Sequence, residues 1–470
     1  MTRGQPARDR KGSTYPAVQG AVGILFELAS VRAHARDTAA HGRREFTFAV
    51  ENQLLTSLST LEGAARTREE LLAHQARFYR QAREQASGSP LAGWVFGAPG
   101  DPASGHEMLE ILAAHGVEAL RLAAPLSVDG RRFAPGEAWW VPADQRQFLL
   151  AKSLFEAPVE FPDTTFYDVS TWNLPMAMGL PWAAVPRADF DAAVLGGPVG
   201  TAFPSGTVGL GESPYAYVFE WRGLHAPRAL ARLLASGGRA RVATRPFAAE
   251  TSAGRRAFGY GTVIVPLGGQ ELLPEELAGW AAAAAEADGL TVHTLTTGLT
   301  GEGVDLGSPS VEPLAPPRPA LVVGDGVSGY DAGEAWHLMD HRLGLEVPLL
   351  PVDSLGGADL GAFTHLVLVD GRYQLDEPVR QRLAAWVRDG GVLIAVERAG
   401  EWAARDVLGL EKAEMENEPE APEATAESDP PVARRAYADY EAERAVELVS
   451  GSIFEVDLDL THPLAFGLGE

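Results

Sequence analysis

The chain contains no cysteine, which excludes disulfide bridges, thiolate zinc ligands, cysteine-held iron–sulfur clusters and cysteine nucleophiles together. It also lacks any apolar run near the ~20 residues needed to cross a bilayer; the longest stretches are residues 21–29 and the alanine run about Ala281. Residues 1–12 are basic and polar, with no adjoining cleavage pattern of an export signal. Positive charge is in deficit. With 39 Lys and Arg against 63 Asp and Glu the formal charge is −24, which repels phosphate backbones and draws nothing toward an anionic membrane surface. Nucleic acid is therefore not an expected partner, and solubility accounts for the charge.

What is present is an ordinary globular composition, 46% hydrophobic and 22% charged, so wholesale disorder is not expected. At ~150 residues per domain, 470 residues make about three domains, and breaks in composition place them at 1–87, 88–317 and 318–470. The predicted fold class is a multidomain α/β protein. In the first unit AVGILFELA (21–29) reads as a strand buried on both faces. From Asn52 to about Gln85 the residues Leu54, Leu55, Leu58, Leu61, Leu71, Leu72 and Phe78 recur near a 3.6 period, which predicts a long helix. In the middle unit LAGWVFGAP, Pro102–His115 and VEALRLAAP give strand, helix and strand, and YAYVFEW, Pro227–Ala235, RARVAT and GTVIVPLG repeat that βαβ rhythm. Residues 163–200, rich in Pro, Trp and Gly, have no assignment. No internal repeat is visible.

PPRP at 316–319 is a stiff boundary. After it PALVVGDG, FTHLVLVDG and VLIAVE read as strands, with helices over Gly333–Leu343 and Glu377–Arg388. That alternation predicts a doubly wound, largely parallel sheet. Residues 411–430 form an acidic, Pro-containing tract read as a disordered insertion, and SIFEVDLDL recovers strand character.

Glu27 interrupts the apolar run at 21–29. A carboxylate there must be paired, raised in pKa or set at the edge of a site, so it is either an ion-pair partner, with Arg32 the nearest cation in sequence, or a general base. The wider segment, STYPAVQGAVGILFELAS (13–30) followed by a polar loop and FTFAVENQLLTSLSTLEGA, resembles the end of the catalytic domain of M14-family zinc carboxypeptidases. A tyrosine-bearing turn, a Gln-Gly pair, an apolar strand and a long helix come in that family's order. The resemblance implies that Glu27 is the general base, that the intact protein binds zinc and hydrolyses C-terminal peptide bonds, and that the first unit holds part of a peptidase sheet. It also implies that the ligands, a His-x-x-Glu pair and a later His, lie upstream with an Arg that grips the peptide carboxylate. The 26 residues before Glu27 contain no histidine. The expectation is therefore a fragment that binds no zinc alone, is inactive alone, and has as partner the N-terminal catalytic segment that carries the ligands. Related proteins are often exported, so an exported parent is expected if it carries a signal peptide. The alternative is a non-catalytic accessory or ligand-binding α/β protein.

Other histidines make weaker candidates. His115 and Glu118 form a His-x-x-Glu match with His225 further on, but Gly116 reads as a helix cap between them. His337 and His341 are one helical turn apart without a carboxylate motif, and His34 and His41 flank the loop after Glu27. No metal ligand or cofactor-binding residue is assigned. The C-terminal unit resembles class I glutamine-amidotransferase-like domains, which implies a flavodoxin-like sheet. Without a cysteine nucleophile a binding or structural role is left to it. Gly324-Asp325-Gly326 is read as a tight turn, the alternative being the lining of a small-ligand crevice, and no Walker or GxGxxG signature accompanies it. The middle region, including GVDLGSPS, is similar to the linker domains of these multidomain proteins.

Overall fold

A computed structural model describes residues 15–28, 34–38, 42–157, 173–200, 202–209, 214–410 and 453–468. The acidic tract 411–430, Arg32 and His41 lie outside them. The chain divides into two compact units, Met1–Ala202 with Arg434–Val456, and Phe203–Ala433 with Asp457–Glu470. The middle region thus contributes to both. The described residues hold helices and several sheets, and the protein is a multidomain α/β protein.

In the first unit a single helical turn, Tyr15–Val18, docks on the core: Val18 is buried with Leu112 and Phe148. Two 21-residue helices follow, α1 (Phe46–Arg66) and α2 (Arg68–Gly88). The one long helix expected over 52–85 is thus broken at Thr67, whose backbone leaves helical geometry at ψ 19° while its N–H and hydroxyl both bond the Gly63 carbonyl. Residues 21–28 form no strand. A strand needs a neighbour to satisfy its backbone, and none of the described residues pairs with this run. SIFEVDLDL fares similarly, with 453–459 in no sheet.

The remainder of this unit is a five-stranded layer built from β1 (Leu91–Gly97), α3 (Pro102–Ala114), β2 (Leu120–Leu122), a hairpin (Leu126–Val128 with Arg131–Phe133), β3 (Ala138–Pro142), α4 (Phe148–Phe155), β4 (Trp182–Pro186) and β5 (Leu195–Pro198). The order is β4-β1-β3-β2-β5, and every neighbouring pair is antiparallel. So β1-α3-β2 is a crossover with β3 inserted between its two strands. Pro at the start of α3, the Asp101 carboxylate accepting from the Ser104 N–H, and Gly116 in the left-handed region after its end fix that helix. Alternate strand residues then face opposite ways. Trp94, Phe96 and Val141 meet the helices, while Val95, Trp140 and Ala183 meet the hairpin. Each fully buried Phe of this kind contributes about 1.5–3 kcal/mol.

The second unit repeats that plan, which sequence reading missed. It contains β6 (Ala216–Phe219), α5 (Ala226–Ala235), β7 (Arg241–Ala243), a hairpin (Phe247–Thr251 with Gly254–Phe258), β8 (Val263–Pro266), α6 (Pro274–Asp288), β9 (Thr291–Leu295) and β10 (Val311–Pro313). The order β9-β6-β8-β7-β10 matches the first layer strand for strand, again with antiparallel neighbours. Helices again cover one face and the hairpin the other. The hairpin here joins the sheet edge through Thr251 and Leu295.

The same hydrogen bonds lock both copies. In the first, the Gln145 side chain accepts from the Glu118 N–H at 2.8 Å and donates to the Glu118 and Pro142 carbonyls at 3.4 and 2.6 Å. In the second, Gln270 accepts from the Arg239 N–H at 2.7 Å and donates to the Arg239 and Pro266 carbonyls at 2.7 and 2.6 Å. Each glutamine ties the fourth residue beyond the first helix to the end of the inserted strand.

The last part of the second unit is a parallel sheet. Its elements are β11 (Pro319–Val323), α7 (Gly329–Trp336), β12 (Leu349–Pro351), β13 (His365–Leu368), α8 (Glu377–Arg388), β14 (Val392–Ala395) and α9 (Arg398–Trp402), in strand order β12-β11-β13-β14. Leu321 and Val367 pack toward α7, and Ala320 and Leu366 toward α8 and α9, so helices cover both faces. The helix expected over 333–343 begins earlier and passes into a π-helical turn, His337–Arg342.

Candidate functional site

The family-like segment divides sharply at Gly20. Before it, the motif residues are anchored. The Tyr15 hydroxyl lies 2.6 Å from His115 Nδ1, the Tyr79 hydroxyl donates to the Gln19 carbonyl at 3.1 Å, and Gln147 donates to the Gln19 side chain at 3.0 Å. Gly20 has φ +76°, and a Cβ there would stand 3.0 Å from the Phe78 ring, so only glycine makes this turn without displacing α2.

After Gly20 the chain is uncovered. Val22, Ile24, Leu25, Phe26 and Leu28 are exposed, Leu25 to 63%, and Glu27 is exposed among them. Val22, Ile24 and Phe26 line one side of a groove whose other side is the α1–α2 junction from Ser59 to Gln75. Helix α1 has no buried residue, and Leu54, Leu55, Leu58 and Leu61 face solvent. This is the largest concentration of uncovered apolar side chains among the described residues. Monomeric proteins rarely leave such patches open without an interaction to make.

Among the described residues no histidine pair joins Glu27. The alternative partner Arg32, and His41, lie outside the described residues, while His34 is exposed and its backbone carbonyl accepts from the Phe46 N–H at 2.9 Å. His115 is held by Tyr15, and Gly116 at φ +69° separates it from Glu118, whose backbone Gln145 grips. His225 is buried in the second unit, 3.1 Å from Arg228, which with Arg232 pairs the fully buried Asp288. His337 and His341 stack with ring centroids 5.4 Å apart. Among the described residues no group of three or more His, Asp or Glu is arranged to hold a metal ion.

Around Gly324-Asp325-Gly326 the loops interlock. The Arg372 N–H donates to the Gly326 carbonyl at 2.8 Å, and a Cβ at Gly326, φ +85°, would lie 2.6 Å from the Arg372 carbonyl oxygen. Tight-turn geometry accounts for these glycines. Beside them the Arg398 guanidinium bonds both oxygens of buried Asp370 and holds its carboxyl below the usual range, burial opposing. Burial, with the Asp370 charge, pushes the Tyr373 phenol far up; its hydroxyl donates to the Val369 carbonyl at 2.8 Å.

Among the described residues no helix is long and apolar enough to cross a membrane. Compared with known proteins, the chain matches no family model, no curated protein and no solved structure.

Proposed function

We propose that the chain carries the C-terminal part of a zinc-carboxypeptidase-like catalytic domain, followed by α/β domains without catalytic residues, and that Glu27 is its general base. The observation that supports this reading is the contrast at Gly20. An apolar run with no strand partner among the described residues, beside a helix of 21 residues with none buried, is what remains when the rest of a sheet is supplied by other residues. The partner is then the segment bearing the metal ligands, and the substrate a peptide C-terminus.

Zinc held by the ligands of that partner segment would supply an acidified water for attack on the peptide carbonyl. The part of Glu27 is to accept a proton and return it to the leaving amine. The described residues do not supply a ligand set, and the chain alone is expected to be inactive. The parallel order β12-β11-β13-β14 with helices on both faces favours a flavodoxin-like, amidotransferase-like reading of the last domain, whose role without cysteine is binding or structural.

Elemental analysis and C-terminal residue release from a peptide test this reading. The chain by itself is expected to hold no stoichiometric zinc. Joined to the sequence encoded upstream of Met1 it is expected to gain zinc and activity, and Glu27→Gln then lowers kcat by about 10²–10⁴ with zinc retained. One tight zinc in the unextended chain, or an upstream sequence without His-x-x-Glu, overturns it.

A further inference from the structure

The two repeats serve as controls for each other, and one position differs in a way the fold does not require. Their registers are fixed by shared hydrogen bonds. Val117 N–H bonds the Leu112 carbonyl as Gly238 N–H bonds that of Leu233, and Val199 N–H bonds the Ala119 carbonyl as Leu314 N–H bonds that of Ala240. On that register Leu109, Ala113 and Val199 of the first repeat correspond to Leu230, Leu234 and Leu314 of the second.

In the second repeat those three leucines pack into the helix-side core, Leu234 being 7% exposed. In the first, Ala113 and Val199 fall short of that volume and a cavity of 280 Å³ opens between α3 and β5. Its walls are apolar, from Leu109, Ala113, Val117, Leu120 and Val199. Its polar groups are His106, Glu110 and Glu118, which correspond to Pro227, Ala231 and Arg239. The buried His106 ring places Nε2 3.3 Å from the Glu110 carboxylate. Among the described residues no Lys or Arg lines the space.

We propose that this cavity is a binding site for a small organic cation, an ammonium group on a short aliphatic body. The aliphatic part replaces the missing leucine side chains and removes apolar wall from water. Two carboxylates, with no Lys or Arg among the described lining residues, favour positive charge at the mouth and disfavour an anion of equal size. The volume is near the lower end of small-molecule sites, which limits the body to a few carbons. The site is independent of Glu27 and of the peptidase reading.

The probe is n-butylammonium, with n-butanol and butyrate as neutral and anionic counterparts, titrated by NMR against the full chain. Butylammonium is expected to bind about tenfold more tightly than either counterpart, since exposed charge pairs each contribute a few-fold. Glu110→Gln with Glu118→Gln removes that preference. Ala113→Leu with Val199→Leu copies the second repeat, fills the cavity and removes binding while circular dichroism stays native. If the double variant does not fold, Ala113→Leu alone with methyl shifts of Ala113 and Val199 in the native chain decides the same question. Equal binding of the three probes, no binding of any, undiminished binding to the filled variant, or shifts that spare Ala113 and Val199 would each overturn the site.

Discussion

The two repeats reach one topology with different side chains. The first closes its helix layer with aromatic rings, Trp94 stacking on Phe155 at 5.6 Å and lying against Phe148. The second uses an ion cluster, with Asp288 fully buried between Arg228 at 2.7 Å and Arg232. Common to both are the alternation of apolar residues on the strands, the glycine after the first helix, and the glutamine that ties its end to the inserted strand. The comparison teaches that this layer is specified by backbone-directed polar bonds and by burial pattern, while the chemistry inside each helix face can change.

Phe155→Ala should destabilise the first unit by about 4 kcal/mol, through lost burial and the cavity left behind. Asp288→Ala should destabilise the second by about 3 kcal/mol, at the low end for a broken buried pair because both arginines still reach water. Native-state hydrogen exchange, read separately in each unit, checks both; loss of protection in the wrong unit would refute the division. A smaller effect sharpens the similarity. Gln145→Leu and Gln270→Leu each strand one N–H and two carbonyls, at about 2–3 kcal/mol, with Gln145 the costlier because it is 2% exposed. If one of them is neutral, the shared lock is a coincidence of geometry.

Much of the element content was legible from the residues. Glu377–Arg388 ends as expected before Gly390, and the parallel sheet follows from strands alternating with helices. The repeat was not, because few identities survive between its copies. Gly130-Arg131-Arg132 against Gly254-Arg255-Arg256, and Val-Pro followed by Gln145 or Gln270, are the remaining signals. They lie in hairpins and turns rather than in the apolar periods that sequence reading weighs. The antiparallel neighbours were also hidden, since a βαβ rhythm is unchanged when a later strand inserts between the two it joins. Around Glu27 the composition suggested a strand, yet an apolar run becomes one only beside another strand, and that partner is a property of the whole fold. The pocket at Ala113 was invisible until the second repeat showed what ordinarily fills it.

The smallest effect separates the repeats by acid sensitivity. His293 on β9 stands opposite Val218, and Ala183 on β4 opposite Val95, so the two occupy one position on the hairpin side of their sheets. His293 is buried, its ring edge meets Phe258 at 5.5 Å, and Nε2 has no partner among the described residues. Burial lowers its pKa first, Arg256 lowers it further, and Glu220, paired with that arginine, opposes. The unfolded chain therefore takes up the proton more readily than the folded one, and stability rises with pH across the interval between the lowered value and about 6.5. It is complete above about 6.5 and is lost as pH falls below it. His293→Ala gives the second repeat the side chain of the first. The expected result is a lower stability at neutral pH from the vacated volume, with the slope between pH 6.5 and 5 reduced relative to the native protein. Protection factors of β9 and β6 measured across that range read the slope directly, and an unchanged slope would assign the acid sensitivity to groups other than this histidine.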